Sequence, residues 1–277
     1  MMSPERVALL GAIAGVTIFI GLPVGRTRKA IPATKVLLGG LAAGILVFLL
    51  WDVLEHAWEP IDQALGDHHY ASAIGNGAVM TAGFCLGMLG LIGYEVWMSQ
   101  RARRRAPSLG PGTAAVAELE PSLLGTPARR LAFFIAVGIG LHNFSEGLAI
   151  GQSAARGELT LATLLVIGFA THNATEGFGI VAPLAAEAVR PSWGWLGLLG
   201  LIGGGPTFIG TLVGQSVVND TLSIAFLALA AGSILYVVVE LIAAGRKSGH
   251  KVLLSTGIVL GVVLGFLTDA IVTAAGA

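Results

Sequence analysis

The sequence contains eight long apolar runs, and this pattern restricts the fold more than any other feature. Each run is about 19–25 residues long, the length that an α-helix needs to cross roughly 30 Å of hydrocarbon at 1.5 Å per residue. The chain is 55% hydrophobic and only 12% charged, a composition far from that of a soluble domain. The sequence therefore predicts an all-α polytopic membrane protein whose eight transmembrane helices form a bundle. The runs lie near residues 7–25, 36–58, 73–98, 131–154, 159–183, 193–217, 220–244 and 252–275.

Basic residues are distributed unequally between the two ends of the predicted helices. When loops are assigned to alternating sides, 14 of the 16 Lys and Arg residues fall on one side, and only Arg6 and Arg156 fall on the other. Cytoplasmic loops of membrane proteins carry the excess of Lys and Arg. We therefore expect both termini to be extracellular or periplasmic. We also expect segment 99–130 to form a cytoplasmic loop, and the protein to lie in the plasma (inner) membrane.

Overall charge and cysteine content exclude several classes of function. The chain has 16 Lys and Arg and 16 Asp and Glu, so its net charge does not favour a nucleic-acid partner. A single cysteine, Cys85, excludes an internal disulfide and a cysteine-rich metal site. The positions of the polar residues are therefore more informative about function than the overall composition.

One polar pattern occurs twice inside the apolar runs. Residues 142–147 read HNFSEG and residues 172–177 read HNATEG, so His-Asn-x-x-Glu-Gly repeats after 30 residues. Both copies fall near the middle of their runs, and the two helices are antiparallel, so the motifs can meet at one depth. In each copy the three polar side chains share one helix face. Gly147 and Gly177 are expected to let these two helices approach each other.

Together the two motifs offer two imidazoles, two carboxylates and two carboxamides. Ionisable groups near the bilayer centre are costly and mark transport routes or metal sites more often than architecture. Nitrogen and oxygen ligands of this kind suit a divalent ion such as Zn²⁺ or Fe²⁺, whose charge two carboxylates would balance. A purely structural polar contact between the helices is the alternative. The candidate metal ligands are His142, Asn143, Glu146, His172, Asn173 and Glu176.

Further polar residues lie near the ends of the predicted helices and outline a cation route above and below the motifs. Each of them, taken singly, has the ordinary alternative of a side chain that reaches interfacial water. The stretch EPIDQALGDHHY, between the second and third helices, is expected to be a solvated acidic loop, with a metal-collecting mouth as the alternative. The residues of the candidate route are Asp52, Glu55, His56 and Asp269 near the outer ends, and Glu95 and Glu240 near the inner ends.

In its repeated motif and in the sequences of several helices, the chain resembles the ZIP (Zrt/Irt-like) family of metal transporters. The resemblance rests on HNFSEGLAIG and HNATEGFGI, on AAGILVFLLWDVLEHA as the second helix, and on AGSILYVVVELI as the seventh. It implies a single transport domain over residues 1–277, with eight helices, external termini and a cytoplasmic loop between the third and fourth. It also implies that the same six residues bind the metal, that Glu240 lies near the cytoplasmic exit, and that the protein forms a homodimer. The implied cargo is a divalent metal ion, with Zn²⁺ as the first expectation and Fe²⁺, Mn²⁺ or Cd²⁺ as the alternatives.

Three departures from the family pattern affect what the resemblance implies. Ser145 and Thr175 stand where the family usually has proline before the motif glutamate. Gly205 precedes Pro206, where many members have a glutamate that completes a binuclear centre, so one metal ion is the better expectation. Segment 99–130 contains no histidine, which argues against metal sensing by that loop.

The sequence therefore predicts a divalent metal transporter and not an enzyme, with the metal ion as cargo and no organic cofactor. The metal would enter from the outside, exchange water for the motif side chains and leave to the cytoplasm by alternating access, with Pro183 and the GGGP at 203–206 as hinges. Two alternatives stay open at this stage. An intramembrane metal-dependent hydrolase would need a catalytic motif such as His-Glu-x-x-His, which is not in the sequence. A cation channel or a transporter of an organic solute would need a similar polar lining.

Overall fold

Eight long helices make up most of the part of the chain that the computed structural model describes. The described residues are 3–26, 32–105, 126–157, 159–186, 190–216 and 219–274. The first transmembrane segment continues beyond α1 through a helical turn, Ile18–Gly21, and a 3₁₀ turn, Leu22–Arg26. The helices are α1 (Pro4–Val16), α2 (Pro32–Gly66), α3 (Tyr70–Arg105), α4 (Pro127–Arg156), α5 (Leu159–Val181), α6 (Trp193–Gly214), α7 (Asp220–Lys247) and α8 (Lys251–Ala274).

These helices have the length and composition of membrane spans. Within the described residues, seven helical segments are long and apolar enough to cross a bilayer. The eighth, α5, has 23 residues, which give a length of about 34 Å. The all-α polytopic bundle predicted from the apolar runs is therefore confirmed. Most of the segment expected as a cytoplasmic loop, 106–125, lies outside the described residues.

The second and third helices are longer than the apolar pattern predicts. Helix α2 includes Pro60 and ends at Gly66, so most of EPIDQALGDHHY is helical and the expected solvated acidic loop is wrong. Hydropathy marks only the part of a helix that lies in hydrocarbon, whereas the polar continuation is supported by contacts such as Gln63 Nε2 to Glu59 Oε1 at 3.2 Å. Only Asp67–His69 form the connection, with His68 in the left-handed region at φ 61°. The acidic and histidine side chains of this end are exposed.

Glycines bring several helix pairs into direct backbone contact. A Cβ atom placed on Gly147 of α4 would collide with the carbonyl oxygen of Thr207 on α6, and one on Gly44 of α2 would collide with that of Ile258 on α8. Small residues at such positions allow the close packing that holds helices together in lipid.

The partner helices of the two motif glycines differ from the prediction. Gly147 packs α4 against α6, and Gly177 packs α5 against the first transmembrane segment, at Ile18 and Gly21. The expectation that these glycines bring α4 and α5 together is therefore wrong. In each motif the glycine follows the glutamate directly and points to a different side of the helix, so the polar face and the close-packed face have different neighbours.

The helix contacts fall mainly into two groups. One group joins α1, α4, α5 and α6, and the other joins α2, α3, α7 and α8, with α4 packing along α7 where the groups meet. Both polar motifs belong to the first group. The largest hydrophobic cluster surrounds the end of α4 that precedes its motif, where Phe134, Ile135 and Ile139 are at most 1% exposed. A smaller cluster with Ile150 lies beyond the motif, so apolar packing borders the polar residues on both sides.

Candidate metal centre

The motif of α4 lies in an uninterrupted helix and is almost fully buried. His142, Asn143 and Glu146 are 2%, 0% and 5% exposed. Ser145, at the position where the resemblance implies a proline, donates its hydroxyl to the carbonyl of Leu141, 3.4 Å away. Because Ser145 also keeps its backbone N–H, α4 needs no proline kink at this point.

The motif of α5 is buried as well. Asn173 and Glu176 are 0% and 2% exposed. His172 belongs to α5, but its side chain lies outside the described residues. The backbone nevertheless places it one helical turn before Glu176, as His142 lies one turn before Glu146.

Side chains from both motifs meet at the imidazole of His142. Its Nε2 atom lies 3.0 Å from Oε1 of Glu146 on the same helix and 3.9 Å from Oε1 of Glu176 on α5. The antiparallel arrangement therefore brings the two glutamates to one depth, as the spacing of the motifs predicts, and the structure places both beside the same histidine. Two carboxylates in a buried position call for a compensating positive charge.

The two asparagines use their amide groups in the same way. Nδ2 of Asn143 donates to the carbonyl of Gly203 on α6 at 2.9 Å, and Nδ2 of Asn173 donates to the carbonyl of Ala14 on α1 at 3.0 Å. The Oδ1 atoms of both are buried and accept no hydrogen bond within the described part of the chain. A buried carbonyl oxygen without a donor is costly unless another electrophile, such as a metal ion, takes the donor's place.

The described side chains supply only part of a metal site. Among them, no group of three His, Cys, Asp or Glu residues is arranged so that it could hold an ion. The side chain of His172 is not among the described side chains. Of the atoms that the structure describes, a Cβ atom at Gly205, before Pro206 of α6, would meet only the side chain of Leu201 from its own helix, at 3.5 Å. The arrangement offers neutral nitrogen, neutral oxygen and anionic oxygen donors, which is the chemistry of a divalent cation site.

The predicted outer residues of the route lie towards the α2–α3 connection. Nδ1 of His56 lies 2.8 Å from the backbone carbonyl of Asp52 and 3.6 Å from its carboxylate. His56 and Glu55 are exposed, and so is Asp269 on α8. The structure therefore brings Asp52 and His56 together on one face of α2.

The predicted inner residues lie together between α3 and α7. Glu95 accepts a hydrogen bond of 2.9 Å from the hydroxyl of Tyr236, and its charge acts on Glu240 one helical turn further along α7. Tyr236 is 2% exposed, and the sequence reasoning missed it. Its position four residues before Glu240, on the same helix face, is the signal that could have identified it.

Comparisons with known proteins indicate the family to which this chain is similar. Residues 115–273 match the family model described as "ZIP Zinc transporter". The chain is also 29% identical over 233 residues to "Zinc transporter ZupT" of Shigella dysenteriae serotype 1 (strain Sd197), a match that covers 81% of this chain and 80% of that protein. The family match includes both polar motifs and every helix from α4 to α7.

Proposed function

The chain belongs to the ZIP zinc transporter family and is a multi-pass membrane protein, and we propose that it carries Zn²⁺ into the cytoplasm through the two buried motifs. Fe²⁺, Mn²⁺ and Cd²⁺ are further candidate substrates, because the same nitrogen and oxygen donors accept them. The relative matched over most of its length is named as a zinc transporter, which favours Zn²⁺. The proposal treats residues 1–277 as one transport domain.

The observation that carries this proposal is the meeting of both motifs at His142. The distances of 3.0 and 3.9 Å from its Nε2 atom to Glu146 and Glu176 place two carboxylates beside one imidazole. A divalent cation would replace this contact by binding the imidazole and both carboxylates, with His172 and the Oδ1 atoms of the asparagines as further ligands. Without thiolate ligands, such a site can bind and release the ion. Since Gly205 supplies no carboxylate, we propose one metal ion at the centre.

Alternating access fits the packing around the motifs better than an open channel does. Fully buried side chains such as Ile135 and Ile139 separate the motifs from one end of α4, and Ile150 borders them on the other side. A hydrated ion cannot pass this packing unless helices move. We propose that the group α1, α4, α5 and α6 moves against the group α2, α3, α7 and α8. The ion would then enter past Asp52 and His56 and leave past Glu95 and Glu240.

Uptake into liposomes tests the proposal directly. The purified protein is reconstituted, and uptake of Zn²⁺, Fe²⁺, Mn²⁺ and Cd²⁺ down a gradient is compared with that of protein-free liposomes. We expect Zn²⁺ to enter through the protein and the other three ions to compete with it. If none of the four ions enters faster than in protein-free liposomes, metal transport by this chain is contradicted. Homodimer formation remains a prediction, which the mass of the purified protein in detergent checks.

The proposed orientation predicts different labelling at the two ends of the bundle. Asp67 in the α2–α3 connection and Ser248 after α7 are both exposed and lie at opposite ends. In a Cys85→Ala background, we expect an impermeant thiol reagent to label Asp67→Cys in intact cells, and Ser248→Cys only after the cells are opened. The opposite result would reverse the orientation, and with it the assignment of both termini to the outside.

A further inference from the structure

The hydrogen bonds of Asn143 and Asn173 end at neighbouring points of the first and sixth helices. Asn143 of α4 donates to the carbonyl of Gly203, and Asn173 of α5 donates to the carbonyl of Ala14. Each acceptor carbonyl directly precedes a glycine, namely Gly204 on α6 and Gly15 on α1. The two polar motifs therefore attach to two different helices.

These two glycines form the crossing of α1 and α6. A Cβ atom on Gly15 would collide with the carbonyl oxygen of Gly204, and a Cβ atom on Gly204 would collide with the carbonyl oxygen of Gly15. The contact is reciprocal and lies between backbones, so a rotamer change cannot relieve an added methyl group. Only a shift of one helix relative to the other can do so.

Both acceptor carbonyls also lie next to an irregularity of their own helix. Helix α1 ends at Val16, and the hydroxyl of Thr17 donates to the carbonyl of Ala14 at 2.7 Å. Helix α6 contains Pro206, which has no backbone N–H for the preceding turn. The carbonyl that loses this donor is that of Ile202, four residues before Pro206, so Gly203 lies directly beside the interruption.

We propose that Gly15 and Gly204 are positioning residues for the metal centre, because their crossing sets the distance between the two carbonyls that hold Asn143 and Asn173. The inference rests on the proposed function, since it concerns the same centre. Neither glycine touches the ion. Each acts through an asparagine, whose Oδ1 atom is offered to the metal only while its amide stays bonded to the backbone at the crossing.

Binding of Co²⁺ to the purified full-length protein tests this role. Co²⁺ takes the ligands of Zn²⁺, and its visible absorption reports the number and geometry of those ligands. We expect Gly15→Ala and Gly204→Ala to change the absorption spectrum of bound Co²⁺ and to weaken Zn²⁺ binding, measured by competition, by about tenfold or more, as the loss of supporting contacts around a metal site does.

A matched control is available at another helix crossing. A Cβ atom on Gly87 of α3 would collide with the carbonyl oxygen of Leu229 on α7, and α3 packs on α2 and α7, away from both motifs. Gly87→Ala should lower the melting temperature to a similar degree and leave both the Co²⁺ spectrum and the Zn²⁺ affinity unchanged. If Gly15→Ala does not fold, Gly11→Ala makes a milder change at the same interface, because its Cβ would meet the side chain of Thr211 instead of backbone. Its effect should be smaller and in the same direction.

The possible outcomes separate the inference from the proposed function. If the wild type binds Co²⁺ and the folded glycine variants of α1 and α6 share its spectrum and affinity, the positioning role is overturned and the metal centre stands. The positioning role is also overturned if Gly87→Ala alters the Co²⁺ spectrum as much as Gly15→Ala and Gly204→Ala do. If the wild type binds neither Co²⁺ nor Zn²⁺, the metal centre itself is overturned, and the inference with it.

Discussion

Liposomes that contain the Glu146→Ala or the Glu176→Ala variant should take up Zn²⁺ no faster than protein-free liposomes. Both carboxylates lie beside His142 in a buried centre. A buried metal ion that loses one charged partner is disfavoured by about 3–5 kcal/mol, and this amount, taken from the free energy of metal binding, corresponds to roughly two to four orders of magnitude in affinity. In either variant, a bound divalent ion would also keep an excess positive charge in a medium of low dielectric constant, which further disfavours binding.

Two further variants separate the charge of these residues from their packing. Glu146→Gln keeps the size of the side chain and one oxygen ligand, so the protein should fold as the wild type does and still lose most of its uptake. Glu5→Ala removes an exposed carboxylate in the first turn of α1 and should leave uptake unchanged. Normal uptake by both alanine variants would show that the ion does not need this centre.

Gly147→Ala should lower the stability of the protein more than most single substitutions do. The added methyl group would collide with the carbonyl oxygen of Thr207 and lie 2.8 Å from the backbone nitrogen of Thr211. Overpacking of a tight interface costs about 1–3 kcal/mol where side chains can adjust, and two backbones leave little room for adjustment. We expect a fall of several degrees or more in the apparent melting temperature.

Gly93→Ala on α3 is the matched control for this prediction. Within the described structure, a Cβ atom at Gly93 would meet no atom within 4 Å. Alanine favours the helix over glycine by about 1 kcal/mol, so this variant should melt at or slightly above the wild-type temperature. Both melting curves are measured in the same detergent. If Gly147→Ala melted at the wild-type temperature, α4 and α6 could not be in the backbone contact described above.

Much of the architecture follows from the sequence because lipid imposes simple requirements. A membrane helix satisfies its own backbone hydrogen bonds and needs about 20 apolar residues, so the eight runs identify the helices. The repeated motif, through its fixed helical spacing, also predicts that the two polar motifs meet at one depth, whereas the approach of Glu146 and Glu176 to the same histidine comes from the structure alone.

Other features depend on contacts between distant residues and could not be read from local patterns. Gly147 has no Cβ atom, so another helix can approach its backbone closely, yet nothing near it in the chain indicates that this helix is α6. The acceptors of Asn143 and Asn173 lie 60 and 159 residues away in the sequence. The helical continuation to Gly66 was missed because hydropathy does not reveal a helix that has left the hydrocarbon.

The long α2 helix has a practical consequence for work on the intact protein. Its 35 residues give a length of about 52 Å, well beyond the roughly 30 Å of the hydrocarbon core. With α3 it forms a helical hairpin whose exposed, charged tip is joined by only three residues, Asp67–His69. The tip therefore offers a conformational epitope. A nanobody selected against it should recognise the folded protein, fail to recognise the denatured chain, and provide a rigid marker for particle alignment in electron microscopy.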